Sequence, residues 1–189
     1  MVMRTNLLRA LSLLDAVGAS LDPTSLVANP TAATEAGKPE TGKAVGGLRL
    51  TLDRAAHGVL KVTFQNVAKT PMIVNLGVML ANGRTMIPNQ LYLIVTGASG
   101  HARRLAWKGF CVTGPMNDFL VPLMPAATYT LSLALNDFVE HGRNSAVVAG
   151  EKVRVVYLGA APSHLNHASA ADLPVWDGKV DTATLPYVE

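Results

Sequence analysis

The chain has 189 residues, of which 49% are hydrophobic and 15% charged, and its formal net charge is +3. This length and composition suit one domain with a substantial core and exclude a wholly disordered chain. The single cysteine excludes an internal disulfide framework and a zinc site built on several thiolates, and the small net charge gives no indication of nucleic-acid binding.

Residues 1–19 have two interpretations. Leu7, Leu11 and Leu14 recur at the spacing of one helical face, which predicts a short amphipathic helix. The alternative is a degenerate secretory signal that ends in small residues before Ser20. The signal would place the protein outside the cytoplasm, and the helix would leave it cytoplasmic. No apolar run reaches the roughly 18 residues of a membrane span, so none is predicted.

Proline, glycine, threonine and alanine dominate residues 20–47, and no helical or strand period persists there. Such a composition is typical of a linker or a loosely packed arm. We therefore divide the chain into an N-terminal segment (1–19), an arm (20–47) and a folded domain (48–189).

A period of two residues dominates the chain from Leu48 onward, as in strands with one buried and one solvated face. Apolar residues alternate with polar ones in the segments 48–52, 60–64, 91–95, 129–135 and 153–157. The segment Met72–Leu80 is apolar on both faces, which predicts a central strand with a bulge near Gly77. Residues 136–149 are expected to form a polar connection, and the tail at 179–188 a last edge strand.

About eight short strands are predicted, with no helix between them long enough for a parallel crossover. The predicted fold class is therefore all-β, an antiparallel immunoglobulin-like β-sandwich of about seven to nine strands that follows the N-terminal helix or signal segment. A partly open barrel is the alternative.

Few residues suggest chemistry. Cys111 fits a buried small hydrophobe better than a nucleophile. His164 and His167 have the spacing of two ligands on one helical turn, but further ligands for zinc are lacking nearby. Asp118 and Asp137 occur in a repeated Asn-Asp-Phe tripeptide and are weak candidates for calcium ligands, although Asn-Asp pairs also form ordinary turns. We predict no catalytic residue, no bound metal and no cofactor.

The most concentrated basic feature is a strip that comprises Arg103, Arg104, Trp107 and Lys108, preceded by His101. An aromatic side chain among cations can bind an anionic partner, so these four residues are the candidate partner-binding set. Alternation along a strand would nevertheless put Arg103 and Trp107 on one face and Arg104 and Lys108 on the other. Charges on a strand also prevent edge-to-edge aggregation, which is the structural alternative.

Three segments resemble small bacterial immunoglobulin-like sandwich proteins, namely Phe64–Val74 with its Asn and Pro corner, Gly100–Trp107 after a glycine turn, and Leu123–Leu131 with a proline turn before a tyrosine-bearing strand. In the last of these, Ala126 replaces the usual glycine. The order is similar to that of uncharacterised secreted sandwich domains and of the BsuPI-type intracellular proteinase inhibitor family. The resemblance implies the fold, and it transfers no inhibitory loop.

The sequence thus predicts a non-catalytic β-sandwich that binds another protein or assists assembly, and it leaves the oligomeric state open. One alternative is a protease-inhibitor-like protein that acts through an exposed loop, either Gly109–Asp118 or Ala81–Asn89. Another is a small metal-dependent or hydrolytic enzyme. The partner is expected to be a protein, not a nucleic acid.

Overall fold

The computed structural model describes residues 39–54, 58–80, 83–111, 114, 116–162 and 173–188. Within them the chain is all-β. The strands in chain order are β1 (Glu40–Thr41), β2 (Leu48–Arg54), β3 (Val59–Asn66), β4 (Met72–Leu80), β5 (Thr85–Ile87), β6 (Leu91–Thr96), β7 (Ala102–Trp107), β8 (Met116–Leu123), β9 (Thr128–Ala134), β10 (Phe138–Glu140), β11 (Arg143–Asn144), β12 (Lys152–Gly159), β13 (Gly178–Asp181) and β14 (Leu185–Pro186).

The predicted all-β class is confirmed, with several antiparallel sheets that are compatible with a sandwich. Sheet A has the order β1-β2-β3-β9, and sheet B has the order β5-β4-β8. Sheet C has the order β11-β10-β7-β6-β12-β13, with β14 paired to one end of β12. Every pairing between these strands is antiparallel.

Eight strands have six residues or more (β2, β3, β4, β6, β7, β8, β9 and β12). Five of them, β2, β3, β6, β9 and β12, coincide with the alternating segments, and β4 coincides with the apolar segment Met72–Leu80. The prediction for residues 136–149 was wrong, because β10 and β11 lie there. Phe138 and Val139 are buried side by side, and two adjacent apolar residues between turn formers carry no alternation to detect. Leu135 also differs from its prediction, since it begins a short 3-10 turn, Leu135–Asp137, after β9 has ended.

The three sheets share one core. The inward residues of β2 (Leu48, Leu50 and Leu52) are fully buried, as their alternation predicted. Sheet A contacts sheet C where Phe64 meets Tyr157 edge to face, with ring centroids 5.3 Å apart. It contacts sheet B where Phe119 meets Tyr129 at 6.2 Å. Sheet A therefore packs against both other sheets.

Asn66, at the end of β3, organises the corner that the sequence analysis singled out. Its side chain is fully buried and donates to the carbonyl oxygens of Thr70 and Leu123, both at 2.9 Å. Its Oδ1 accepts the N–H of Ala68 at 2.9 Å. A buried amide costs little free energy when its partners are satisfied, so this residue links the β3–β4 turn to the end of β8.

The bulge predicted near Gly77 is confirmed, because the register of β4 against β8 shifts between Asn75 and Val78. Gly77 has a φ of 140°. A Cβ there would lie 2.2 Å from Oδ1 of Asn89 and 2.3 Å from the carbonyl oxygen of Ile87. Only glycine combines this backbone conformation with so close an approach.

The helix or signal predicted at 1–19 and residues 20–38 of the expected arm lie outside the described residues. The last part of that arm contributes β1, which pairs with β2 through Glu40 and Thr41. Within the described ranges, no helix has the length and apolar character needed to cross a lipid bilayer.

Candidate functional site

The basic strip lies on β7, in the middle of sheet C. Leu105 is fully buried, Arg103 and Trp107 on the same side are partly buried, and Arg104 is exposed on the other side. The split that alternation predicted is therefore present. Lys108 follows the end of the strand.

Arg103 is bound within the chain at the rim of the core, with 18% of its side chain exposed. Its guanidinium donates to Oε2 of Glu151 at 2.7 Å, to the carbonyl oxygen of Ala146 at 2.8 Å and to the hydroxyl of Ser145. Glu140 lies 3.7 Å away and accepts the Ser145 hydroxyl. Charge-assisted hydrogen bonds of this kind are stronger than neutral ones, so Arg103 holds the 145–151 loop against β7.

The other three members of the strip also have partners within the chain. The Arg104 guanidinium lies 4.0 Å from the centre of the Tyr92 ring. Trp107 meets Phe138 edge to face at 5.1 Å, and Lys108 forms an ion pair with Asp137. These contacts give the strip a structural role. Arg104 and Lys108 stay accessible, since Lys108 keeps 54% of its side chain exposed.

A cavity of about 240 Å³ opens beside this network. Its lining residues carry no charge and are Gly58, Leu135, Asn136, Phe138, Asn144, Ser145, Ala146, Val147 and Tyr187. The sequence did not predict this cavity, because residues 136–149 were expected to form a plain connection. The available signal was the apolar pair Phe138–Val139 among turn formers.

The candidate metal ligands do not form a described site. Asp118 lies buried within β8 of sheet B, whereas Asp137 lies in the 3-10 turn and pairs with Lys108 on sheet C. His164 and His167 fall outside the described residues. Across the described part of the chain, no three His, Cys, Asp or Glu side chains group closely enough to hold a metal ion.

The outer edge of β9 is the feature that the sequence analysis did not identify. The N–H of Leu135 donates to the carbonyl oxygen of Gly58 at 2.8 Å, just beyond one end of β9. At the other end, the N–H of Asn66 donates to Ala127 at 3.1 Å. Both bonds continue the register in which Phe64 faces Tyr129.

Antiparallel strands hydrogen-bond through every second residue. The two flanking bonds therefore direct the main-chain groups of Tyr129, Leu131 and Leu133 toward β3. By the same alternation, the N–H and C=O groups of the remaining four residues point away from the sheet: Thr128, Thr130, Ser132 and Ala134. No described strand pairs with them, because β9 ends the order of sheet A.

The core beneath this edge is incompletely covered. Phe64 and Val62 on β3 are fully buried, but their partners Tyr129 and Leu131 on β9 are only partly buried. A further strand beside β9 would cover both side chains.

Among the edge strands of the described residues, β9 has the least protection against strand pairing. Natural edges are short, charged, bulged or interrupted by proline. The other edge strands have these features: β1, β5, β11 and β14 have two or three residues, β13 carries Lys179 and Asp181, and β8 contains Asp118 and Pro122. β9 has seven residues with no charge and no proline.

Comparison with known proteins finds no matching family model, no matching curated protein and no matching solved structure. The resemblance drawn from the three sequence segments therefore stays a prediction.

Proposed function

We propose that this chain is a non-catalytic, immunoglobulin-like β-sandwich domain that binds another polypeptide by adding its strand to the outer edge of β9. The observation that carries the proposal is the set of four outward-directed main-chain positions on a long, uncharged edge strand. Strand addition of this kind takes its affinity from main-chain hydrogen bonds and its specificity from alternate side chains.

The side chains of β9 define what the added strand must offer. On the inner side, Tyr129 and Leu131 are partly exposed and need apolar neighbours. On the outer side, Thr128, Thr130 and Ser132 are exposed and uncharged. An extended, uncharged segment that alternates apolar and small polar residues meets both requirements.

The test uses an extended-peptide library displayed on phage and two variants at one position. Thr130→Pro removes an outward N–H but leaves the main-chain bonds to β3 in place, and proline is tolerated at such edge positions. Thr130→Val keeps that N–H and the strand preference. Both variants lose the hydroxyl contact between Thr130 and Thr63 on β3, 2.9 Å, so this loss does not distinguish them. We expect selected peptides to bind the natural chain and Thr130→Val but to bind Thr130→Pro at least about tenfold more weakly, the loss of about 1.4 kcal/mol. Peptides that bind all three equally would contradict the proposal.

The second candidate is protease inhibition through the Gly109–Asp118 loop. It is favoured by the exposure of Phe110 and Cys111 at the start of that loop, since an inhibitor must present an accessible side chain to the protease. Titration against a panel of serine proteases tests it, and Phe110→Ala should weaken any inhibition. The absence of inhibition at micromolar concentration would remove this candidate.

A further inference from the structure

The residue pattern of β9 allows two antiparallel copies of this strand to pair with each other. If two copies of β9 lie antiparallel across a two-fold axis at Leu131, Thr130 of one copy faces Ser132 of the other and Thr128 faces Ala134. Those four residues are the ones whose main-chain groups point outward. The register therefore uses every outward position and leaves none unpaired.

This register is also the one that overlaps the whole strand. Its centre, Leu131, is the middle residue of the seven in Thr128–Ala134. A shift of the axis toward the N-terminus would bring in Ala126, which has a φ of +64° and lies outside extended geometry. Four hydrogen-bonded pairs that each exchange two bonds would give about eight main-chain bonds.

The side chains of β9 are also compatible with the two-fold register at Leu131. Leu131 would meet Leu131 of the second copy, and Tyr129 would meet Leu133, all on the core-facing side. These contacts would cover the partly exposed Tyr129 and Leu131. Thr130 and Ser132 would meet on the outer side, where no like charges oppose each other.

We infer that β9 pairs with β9 of a second copy of this chain, about a two-fold axis at Leu131, and joins the two four-stranded sheets into one continuous sheet. The inference rests on the proposed strand addition at this edge and names its occupant. A second copy is the expected occupant because β9 has no charged residue that would select a charged peptide. In this register its apolar residues also face apolar residues of the second copy, and its outer residues face uncharged ones.

Sedimentation over a range of concentrations tests the pairing first. We expect the mass to rise from the monomer value of 19.9 kDa toward twice that value. Thr130→Val should keep this behaviour, whereas Thr130→Pro should raise the dissociation constant at least about tenfold. Unchanged circular dichroism in both variants serves as the check on folding.

Disulfide cross-linking tests the register. Leu131→Cys, in a Cys111→Ser background, should form a covalent dimer on mild oxidation, because directly opposed residues of a non-hydrogen-bonded pair have Cα atoms about 4.5 Å apart. Ser132→Cys is the matched control. Its two copies would lie roughly 8 Å apart and should cross-link poorly.

The outcomes separate the two proposals. A natural chain that stays monomeric but still binds the selected peptides at β9 overturns self-pairing and leaves strand addition intact. A monomer that binds no peptide overturns both. A dimer that is insensitive to Thr130→Pro, or that cross-links equally through both cysteines, overturns the pairing at β9.

Discussion

Leu133 and Ser132 are neighbours on β9 that differ in what surrounds them. Leu133 is fully buried, and Ser132 is exposed. Removal of a buried leucine side chain loses its burial and leaves a cavity, so Leu133→Ala should lower the free energy of unfolding by about 2–5 kcal/mol. Ser132→Ala should change it by less than about 0.5 kcal/mol. Urea unfolding of both variants measures the difference, and equal small effects would contradict the assigned inward face.

Tyr157 is an ionisable group in the centre of the core. Its hydroxyl donates to the carbonyl oxygen of Asn75 at 2.8 Å, and its ring stacks on Trp176. Burial raises the pKa of this phenol well above its ordinary value, and the nearby Asp177 raises it further. The folded protein therefore holds the Tyr157 proton more tightly than the unfolded chain does.

A consequence for alkaline stability follows from Tyr157. Its raised pKa stabilises the fold in full below the unfolded value of about 10, and this contribution is lost as the pH rises through the folded pKa. We expect the natural chain to lose up to about 1.4 kcal/mol per pH unit above pH ~10 from this group. Tyr157→Phe should lack that part of the slope. Urea unfolding of both proteins at several alkaline pH values measures it, and identical slopes would contradict the buried, neutral phenol.

At the scale of the element, the bulge in β4 depends on one glycine. Gly77→Ala would drive a Cβ into Asn89 and Ile87, so we expect it to lower the free energy of unfolding by about 3 kcal/mol or more. Gly83 is the matched control, because it also has a positive φ, 84°, but nothing within 4 Å of an added Cβ. Gly83→Ala should cost only the backbone strain, about 1–2 kcal/mol. Thermal or urea unfolding compares them, and similar losses would mean that crowding at Gly77 is unimportant.

The 145–151 loop depends on Arg103. Arg103→Met keeps the aliphatic stem but leaves Glu151, with 14% of its side chain exposed, without its cation. We expect a loss of about 1–3 kcal/mol and faster hydrogen exchange at Val148, whose N–H donates to Glu151. Arg104→Met, which loses only the contact with Tyr92, should cost about 0.5–1 kcal/mol. If the two variants behave alike, Arg103 does not hold the loop.

The elements that could be predicted from the sequence are those whose periodicity is local. The inward leucines of β2 and the alternation of β9 follow from period two alone, and the bulge at Gly77 follows from an apolar run interrupted by glycine. β10 could not be predicted in this way, because Phe138 and Val139 are adjacent and both buried. Three-residue strands are too short for an alternating pattern to be recognised.

The roles of individual site residues depend on contacts with residues that are far away in the sequence. Arg103 was predicted as a partner-binding cation, yet Ser145 and Glu151, which it contacts, lie 42 and 48 residues further along the chain. The pattern around Arg103 contains no information about those partners. In the same way, the composition of β9 shows that it is uncharged, but its position at the edge follows only from its pairing with β3 and with no other described strand.

At the scale of the whole molecule, the three sheets bury one core and protect all but one of their described edges. Short length, charge or proline protects the others, and the outer side of β9 has none of these features. The proposed binding surface is thus the outer edge of sheet A at β9, and binding there requires no catalytic residues.

Amide hydrogen exchange along β9 tests this account most directly. In a dilute sample of the natural chain, the N–H groups of Tyr129, Leu131 and Leu133 should be strongly protected, because they bond to β3. Those of Thr130 and Ser132 should exchange quickly and gain protection as the concentration rises. Uniform protection along the strand at every concentration would mean that the outer edge is already covered, and it would contradict the account.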